Sequence, residues 1–411
     1  MLKVYTVRQR FPPPARLDLA AELRRAFVPK VKPGARIAVG VGSRGVTNLA
    51  AVVREAVAIL KDAGARPFIL PAMGSHGGAT PEGQKGILEG YGVTEAAMGC
   101  PLRPSLEVER IGTSEDGVPV HWSVEALRSD GALVINRIKP HTDFVGKVGS
   151  GILKMCAIGF GKQAGAATCH AAAQRLGLER VIRGVARVVL EKAPVLWGIG
   201  LLEDTHHQTA KIVVVPREEI ESREAECQAE AKRLMPRLPY DAIDLLVVDR
   251  LGKNITGAGM DPNVIGRSIH GYTSLLSDSS RTPDIKRILV CDMTPESHGN
   301  AIGLGMADFT TERLVRGMDR TSSYMNALTA LSVQSIKIPI TFADDREAID
   351  RAIVTLALDD PGKARVVRIQ DTLNLGTLQV SEACDRSRLE VLSGPEEFRF
   401  DPSGNLLPIG A

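Results

Sequence analysis

The sequence predicts two α/β domains with a ligand cleft between them, and three observations carry that expectation. Apolar runs of strand length alternate with segments of helical spacing through the first half. A charged, helix-prone stretch closed by prolines then interrupts the pattern near residue 217. Beyond it the strand-then-glycine pattern restarts. A cleft between two such domains is a common seat for a ligand.

Each element has its own local warrant. IAVGVG at 37–42 is a continuous apolar run, as a buried parallel strand requires, and 46–63 carries apolar residues at helical spacing up to Gly64. PFILPAM at 67–73 is the next strand and runs into a glycine-rich turn. Helices are expected at 81–90 and 171–191, and strands at 132–137, 195–201 and 211–215. The stretch 217–235 is rich in Glu, Arg, Ala and Gln, and Pro236 and Pro239 close it. DLLVVDR at 244–250 and KRILVCDM at 286–293 restart the strands; helices are expected at 311–330 and 345–358, then late strands at 364–370 and 376–380. This gives a first domain over 1–216, a helical connector over 217–240 and a second domain over 241–411, whose last strands are free to pack back on the first.

Composition excludes several function classes. Lys plus Arg is 51 against 48 for Asp plus Glu, a balance of +3 that does not suit a dedicated nucleic-acid binder. Aromatics at 4% leave little material for stacking bases. No run of 18 apolar residues exists for a membrane helix, and the start MLKVYTVRQRFPPP lacks the apolar core of a signal peptide. Six scattered cysteines, none in a CxxC pair, form neither a disulfide framework nor a zinc motif. A cytoplasmic protein is the expectation.

Chemistry concentrates in the turns after strands. GVGSRG at 40–45 reads either as a tight strand-to-helix turn or as an anion nest to which Arg44 adds a bidentate fork. Its spacing matches GxGxxG, but the acidic partner expected about 20 residues on has only Asp62, at a helix end. His76 in PAMGSHGG and His141 in NRIKPHTDF both leave strands, and His170 ends the run GKQAGAATCH. Two imidazoles on opposite sides of a carbon make an acid/base pair; singly, a strand-exit histidine is also an ordinary surface group. Lys154 lies in GSGILKM, where apolar surroundings favour the neutral, nucleophilic amine. DTHH at 204–207 is the nearest approach to a local metal-ligand cluster. Met155, Cys156, Cys169 and Met260 are expected to be packing residues.

These residues, taken in order, resemble the nickel-dependent lactate racemase family over roughly 35–215. The resemblance rests on Arg44 in the loop after the first core strand, the Gly-x-His turn at His76, and the strand ending toward His141. It is completed by the Ser-Gly-x-x-Lys segment from Ser150 to Lys154, and by His170 sixteen residues after that lysine. It implies a LarA-like α/β domain that carries a nickel pincer nucleotide, a nicotinate-derived pyridinium mononucleotide with two sulfur-containing arms. In the family the lysine matching Lys154 holds the cofactor through a thioamide and the histidine matching His170 ligates nickel. The histidines matching His76 and His141 are the two bases, and the arginine matching Arg44 holds the substrate carboxylate. By the same resemblance Gly42, Ser43, Ser150 and Gly151 line the cofactor, and the partners are a small 2-hydroxy acid and cofactor-maturation enzymes; oligomerisation stays open.

The sequence also departs from the family. Val41-Gly42-Ser43-Arg44-Gly45 replaces the family's Asp-x-Thr-Arg-Pro, and the longer span from His141 makes Lys147 a rival to Lys154. The second half lacks the family's close Gln and Lys pair. It offers Glu296, His298, Asp308, Thr310 and Arg313, with Lys253, Asn254, Asp261, Asn263 and Arg267 nearby in sequence. Such polarity points to a substrate larger or more functionalised than lactate, such as a sugar acid or hydroxy diacid. Asn263 and Thr310 also read as helix caps, and Asp261 before proline as a turn residue. The leading expectation is a racemase or epimerase of a 2-hydroxy acid. The alternatives are an oxidoreductase using the same pocket and a non-enzymatic protein that binds the nicotinate nucleotide or its nickel.

Overall fold

The computed structural model describes residues 2–42, 46–142, 144–267 and 283–410. The chain forms two compact units, one of Met1–Pro12 with Pro236–Ala411 and the other of Pro13–Met235. Strand β1 (Lys3–Arg8) therefore belongs with the C-terminal half of the chain.

The unit Pro13–Met235 begins with α1 (Leu19–Ala26), capped by the Asp18 carboxylate on the Ala21 N–H. There follow β2 (Arg36–Val41), α2 (Leu49–Asp62), β3 (Arg66–Pro71) and α3 (Pro81–Gly90). A hairpin of β4 (Val108–Thr113) and β5 (Pro119–Ser123) precedes β6 (Gly131–Arg137). Then come α4 (Lys162–Leu176), α5 (Leu178–Lys192), β7 (Val195–Glu203), β8 (Thr209–Pro216) and α6 (Ile220–Leu234). The five-stranded sheet has the order β3-β2-β6-β7-β8, parallel except for β8. Its central strands are covered on both faces, which is why they read as unbroken apolar runs. One face takes the α2 residues Val52, Val53, Ala56, Val57 and Leu60. The other takes residues 152–160: a Cβ on Gly198 would meet Ile152, and one on Gly40 would lie 2.1 Å from Phe160 Cζ. Gly40 is thus a glycine because an aromatic ring, itself stacked on Trp122, crosses the strand there. The strand order reverses between β2 and β6, so the turns after the strand ends converge where open parallel sheets bind ligands.

In the other unit, β9 (Ala242–Leu251), β10 (Asp284–Met293) and β11 (Phe309–Thr311) lead to α7 (Arg320–Thr329). Strand β12 (Ile340–Phe342), α8 (Asp345–Val354), β13 (Val366–Ile369), β14 (Thr377–Ser381) and β15 (Glu390–Glu397) complete it. The eight-stranded sheet runs β12-β11-β10-β9-β13-β14-β1-β15. It is parallel from β12 to β13 and antiparallel beyond. Alternation along β9 and β10 sends Leu246, Val248, Ile288 and Val290 to one core, and Leu245, Val247, Leu289 and Cys291 to a second that includes Ala348, Ile349 and Ala352 of α8. Among the described residues no helix is long and apolar enough to cross a membrane.

The α/β character matches the sequence expectation; several elements do not. The helix expected at 171–191 is two helices, because Gly177 (φ 79°, ψ 143°) cannot continue one. The first begins back at Lys162, in a Gly/Ala run with little amphipathic signal. The helix expected at 311–330 likewise breaks after Arg316 and restarts at α7, where Asp319 caps Thr321 and Ser322. The caps there and nearby are Asp261 and Thr311 rather than Asn263 and Thr310; the Thr310 hydroxyl instead donates to the Val290 carbonyl.

Candidate functional site

After the carboxyl ends of β2, β3 and β6, the unit Pro13–Met235 carries Gly42, His76, His141, Ser150, Gly151 and Lys154. The loop after β6 and the segment 149–154 are zipped together by two backbone hydrogen bonds, Lys139 N–H to Ser150 O and Ser150 N–H to Lys139 O, both 2.9 Å. Asn136, near the end of β6, donates from Nδ2 to the Gly151 carbonyl at 3.1 Å. This bridge puts His141 and Lys154 in register, and Lys154 Nζ lies 2.5 Å from His141 Nε2. His141 is 5% exposed and stacks on Phe144, with centroids 4.5 Å apart. A hydrogen bond between two nitrogens of this kind requires one to present a lone pair. A half-buried amine beside an imidazole can act as a nucleophile, with the imidazole as its proton partner. Lys147, the rival lysine, is exposed, and its backbone N–H is held by Glu179.

Lys154 ends a single helical turn, Ile152–Lys154, which runs directly into a π-helical turn, Met155–Gly159. Such turns are uncommon and recur at functional sites. The π-turn abuts the His76 loop: Gly74 N–H donates to Gly159 O. His76 is exposed and precedes a turn in which Gly77 and Gly78 both have positive φ. The buried Gln84 of α3 donates to the carbonyls of Gly74 and His76, fixing that loop. His170 is half-buried on α4. Gly42 lies against Asn136 and Met155. Ser43 and Arg44, expected to hold phosphate and carboxylate, lie outside the described residues, as do Gly45 and His270. Nearby, Arg137 pairs with Glu203, whose other oxygen accepts the Thr47 N–H.

Two groups escaped the sequence reading. Lys162 is fully buried, adopts φ +54°, and donates its ammonium to the Pro71 carbonyl; burial lowers its amine to about 7. Glu224 on α6 is buried beneath the lysine turn, and burial pushes its carboxyl up to about 8 against the pull of the Leu153 and Ile152 amides. Cys156, Cys169, Met155 and Met260 are buried among apolar residues, as packing residues would be; burial pushes the Cys169 thiol up to about 12 and Cys156 higher still.

In the other unit, Glu296 and His298 are exposed in the turn after β10, and His298 takes φ +47°. Lys253, after β9, donates to the Gly257 carbonyl and to Asn326 Oδ1, which also accepts from Asn300. Asp308 is committed elsewhere: at the start of β11 it accepts from Arg267 at 2.7 Å and from the Ile288 N–H at 2.8 Å. Arg313 is spent on Asp292 and Asp345. Part of the polarity read as substrate recognition is thus structural. The DTHH run is a turn: Asp204 accepts the N–H groups of Ala15, His206 and Gln208. Among the described residues no three His, Cys, Asp or Glu side chains are grouped to hold a metal ion.

No family model and no curated relative matches the sequence. The fold is similar to that of the lactate racemase apoprotein from Thermoanaerobacterium thermosaccharolyticum, at TM-score 0.50 and 14% identity, covering 90% of this chain and 99% of that one. A structural-genomics protein from Thermotoga maritima gives TM-score 0.50 and 13% identity, over 87% and 96% of the two chains. At such identities the likeness is one of fold, a distant similarity to the lactate-racemase architecture.

Proposed function

We propose that this protein is a racemase or epimerase of a 2-hydroxy acid, working with a nickel pincer nucleotide. The observation that supports this most strongly is the Lys154–His141 contact at the switch-point edge of the sheet, within a fold similar to that of a lactate racemase. The nickel pincer nucleotide brings its own sulfur donors and asks the protein for one imidazole and one amine. Lys154 would anchor it and His170 would be the imidazole ligand. When bound, the cofactor supplies a carbon that accepts and returns hydride.

The chain's own residues supply position and proton transfer. His141, buried and aligned by Phe144, takes the hydroxyl proton of one enantiomer. His76, on its clamped loop, serves the other enantiomer. Arg44 is assigned the carboxylate and Gly42, Ser43, Ser150 and Gly151 the cofactor's surroundings. Glu296 and His298 are assigned the distal polar groups of a substrate larger than lactate. The test supplies single enantiomers of 2-hydroxy acids to protein produced with the pincer-synthesis enzymes, without added dinucleotide, and follows them by chiral chromatography. Stereochemical scrambling with no net redox change is expected, and its loss in His141→Ala with cofactor still loaded. Turnover only with added NAD, yielding the keto acid, would overturn the reading.

A further inference from the structure

The turn that carries Lys154 is gripped by one face of α6. Glu224 is 1% exposed there, and its Oε2 accepts the Leu153 N–H at 2.8 Å. The neighbouring Ile152 amide also favours the charged form of this carboxyl. These amides open the helical turn and have no acceptor within it. Two glycines admit the grip. A Cβ on Gly151 would lie 2.3 Å from Glu224 Oε1, and one on Gly149 would lie 2.5 Å from Gln228 Nε2, one helical turn further along α6. Glu224 Oε1 has no hydrogen-bond partner in the structure. A buried carboxyl with half its acceptor capacity idle is costly, and that cost is offset by the buried amide that would otherwise lack an acceptor. What it does is hold the backbone that ends in Lys154.

We propose that Glu224 is the positioning residue for Lys154, fixing the Ile152–Lys154 turn so that the amine meets His141. The inference rests on reading Lys154 and His141 as a functional pair. Glu224 acts through backbone amides, so the requirement is an acceptor oxygen at this place. The thiols of Cys156 on the π-turn and Cys227 on α6 flank it, and burial holds both protonated.

The test is a double-mutant cycle in the full chain. The His141 titration midpoint is read by imidazole NMR, with and without Lys154→Met, in three backgrounds: Glu224, Glu224→Gln and Glu224→Met. Gln keeps the acceptor oxygen; Met keeps only the bulk. Lys154→Met is expected to shift the midpoint by about one pH unit when residue 224 is Glu or Gln. The shift is expected to fall by at least half in Glu224→Met. Acetylation of Lys154 relative to Lys147, measured by peptide mass spectrometry, should change in Met and be restored in Gln. A full shift in folded Glu224→Met overturns the proposal. Should that variant fail to fold, Gly151→Ala, which pushes the carboxyl off the turn, must lose the shift in its place. No shift in the parent chain sinks the pair and the positioning together. An intact shift in a protein that scrambles no 2-hydroxy acid sinks the functional reading alone.

Discussion

Lys154 and Lys162 show how differently two lysines eight residues apart are used. Lys154 is half-buried with an imidazole at its amine; Lys162 is enclosed, with a backbone carbonyl as acceptor. Burial lowers the Lys162 amine to about 7, while the unfolded chain holds that proton up to about 10.5. Between those values the unfolded state binds the extra proton, so stability gains as pH rises. Denaturant unfolding at pH 6.5, 8 and 10 should show the wild type gaining on Lys162→Met across the series; parallel profiles would contradict it. Lys154 and His141 stand out in the sequence from their glycine-rich and strand-exit contexts, but their contact does not follow from their spacing. Lys162 does not stand out, because nothing in GKQAGAA signals that a lysine turns inward with positive φ. Asp308, by contrast, was over-read: a carboxylate in a polar run carries no mark of the Arg267 that neutralises it.

At the scale of elements, α6 is the case where pattern and role diverge. The stretch 217–235, with six glutamates, reads as a charged helical connector, yet Ile220, Glu224, Cys227, Gln228 and Ala231 are the buried stripe of α6. The helical spacing of Ile220, Cys227 and Ala231 already placed Glu224 on the inner face; residue type hid it. Burial pushes Glu224 up to about 8, so the folded state holds a proton that the unfolded chain releases from about 4.5. Its contribution is fully present below 4.5 and is lost progressively as pH rises to about 8. Glu224→Gln should therefore gain stability over the wild type across that window by a few kcal/mol, measured by denaturant midpoints; an unchanged difference would refute the burial argument. Strand β2 gives a packing test. Gly40→Ala drives a Cβ into the Phe160 ring and should cost about 1–3 kcal/mol without touching Lys154. A neutral melting temperature would contradict that account of the glycine.

For the whole molecule, the parallel sheets were legible because their strands are buried on both faces. Strand β1 was not assigned, because a six-residue alternation at the chain start gives no hint of a partner some 370 residues away. It sits between β14 and β15 and hydrogen-bonds to both. A fragment of Pro236–Ala411 alone should fail to fold cooperatively by circular dichroism and recover on addition of a peptide spanning residues 1–12, whereas Pro13–Met235 should fold alone. A cooperative melt of the bare C-terminal fragment would show that β1 is dispensable. The central claim is that this fold presents Lys154 as a covalent anchor beside a proton-transferring histidine. Its most direct test is the intact mass of the protein produced with the pincer-synthesis enzymes, beside that of Lys154→Ala. A nucleotide-sized adduct present in the first and missing from the second is the predicted result. The same adduct in both, or none in either while the host demonstrably makes the cofactor, would contradict it.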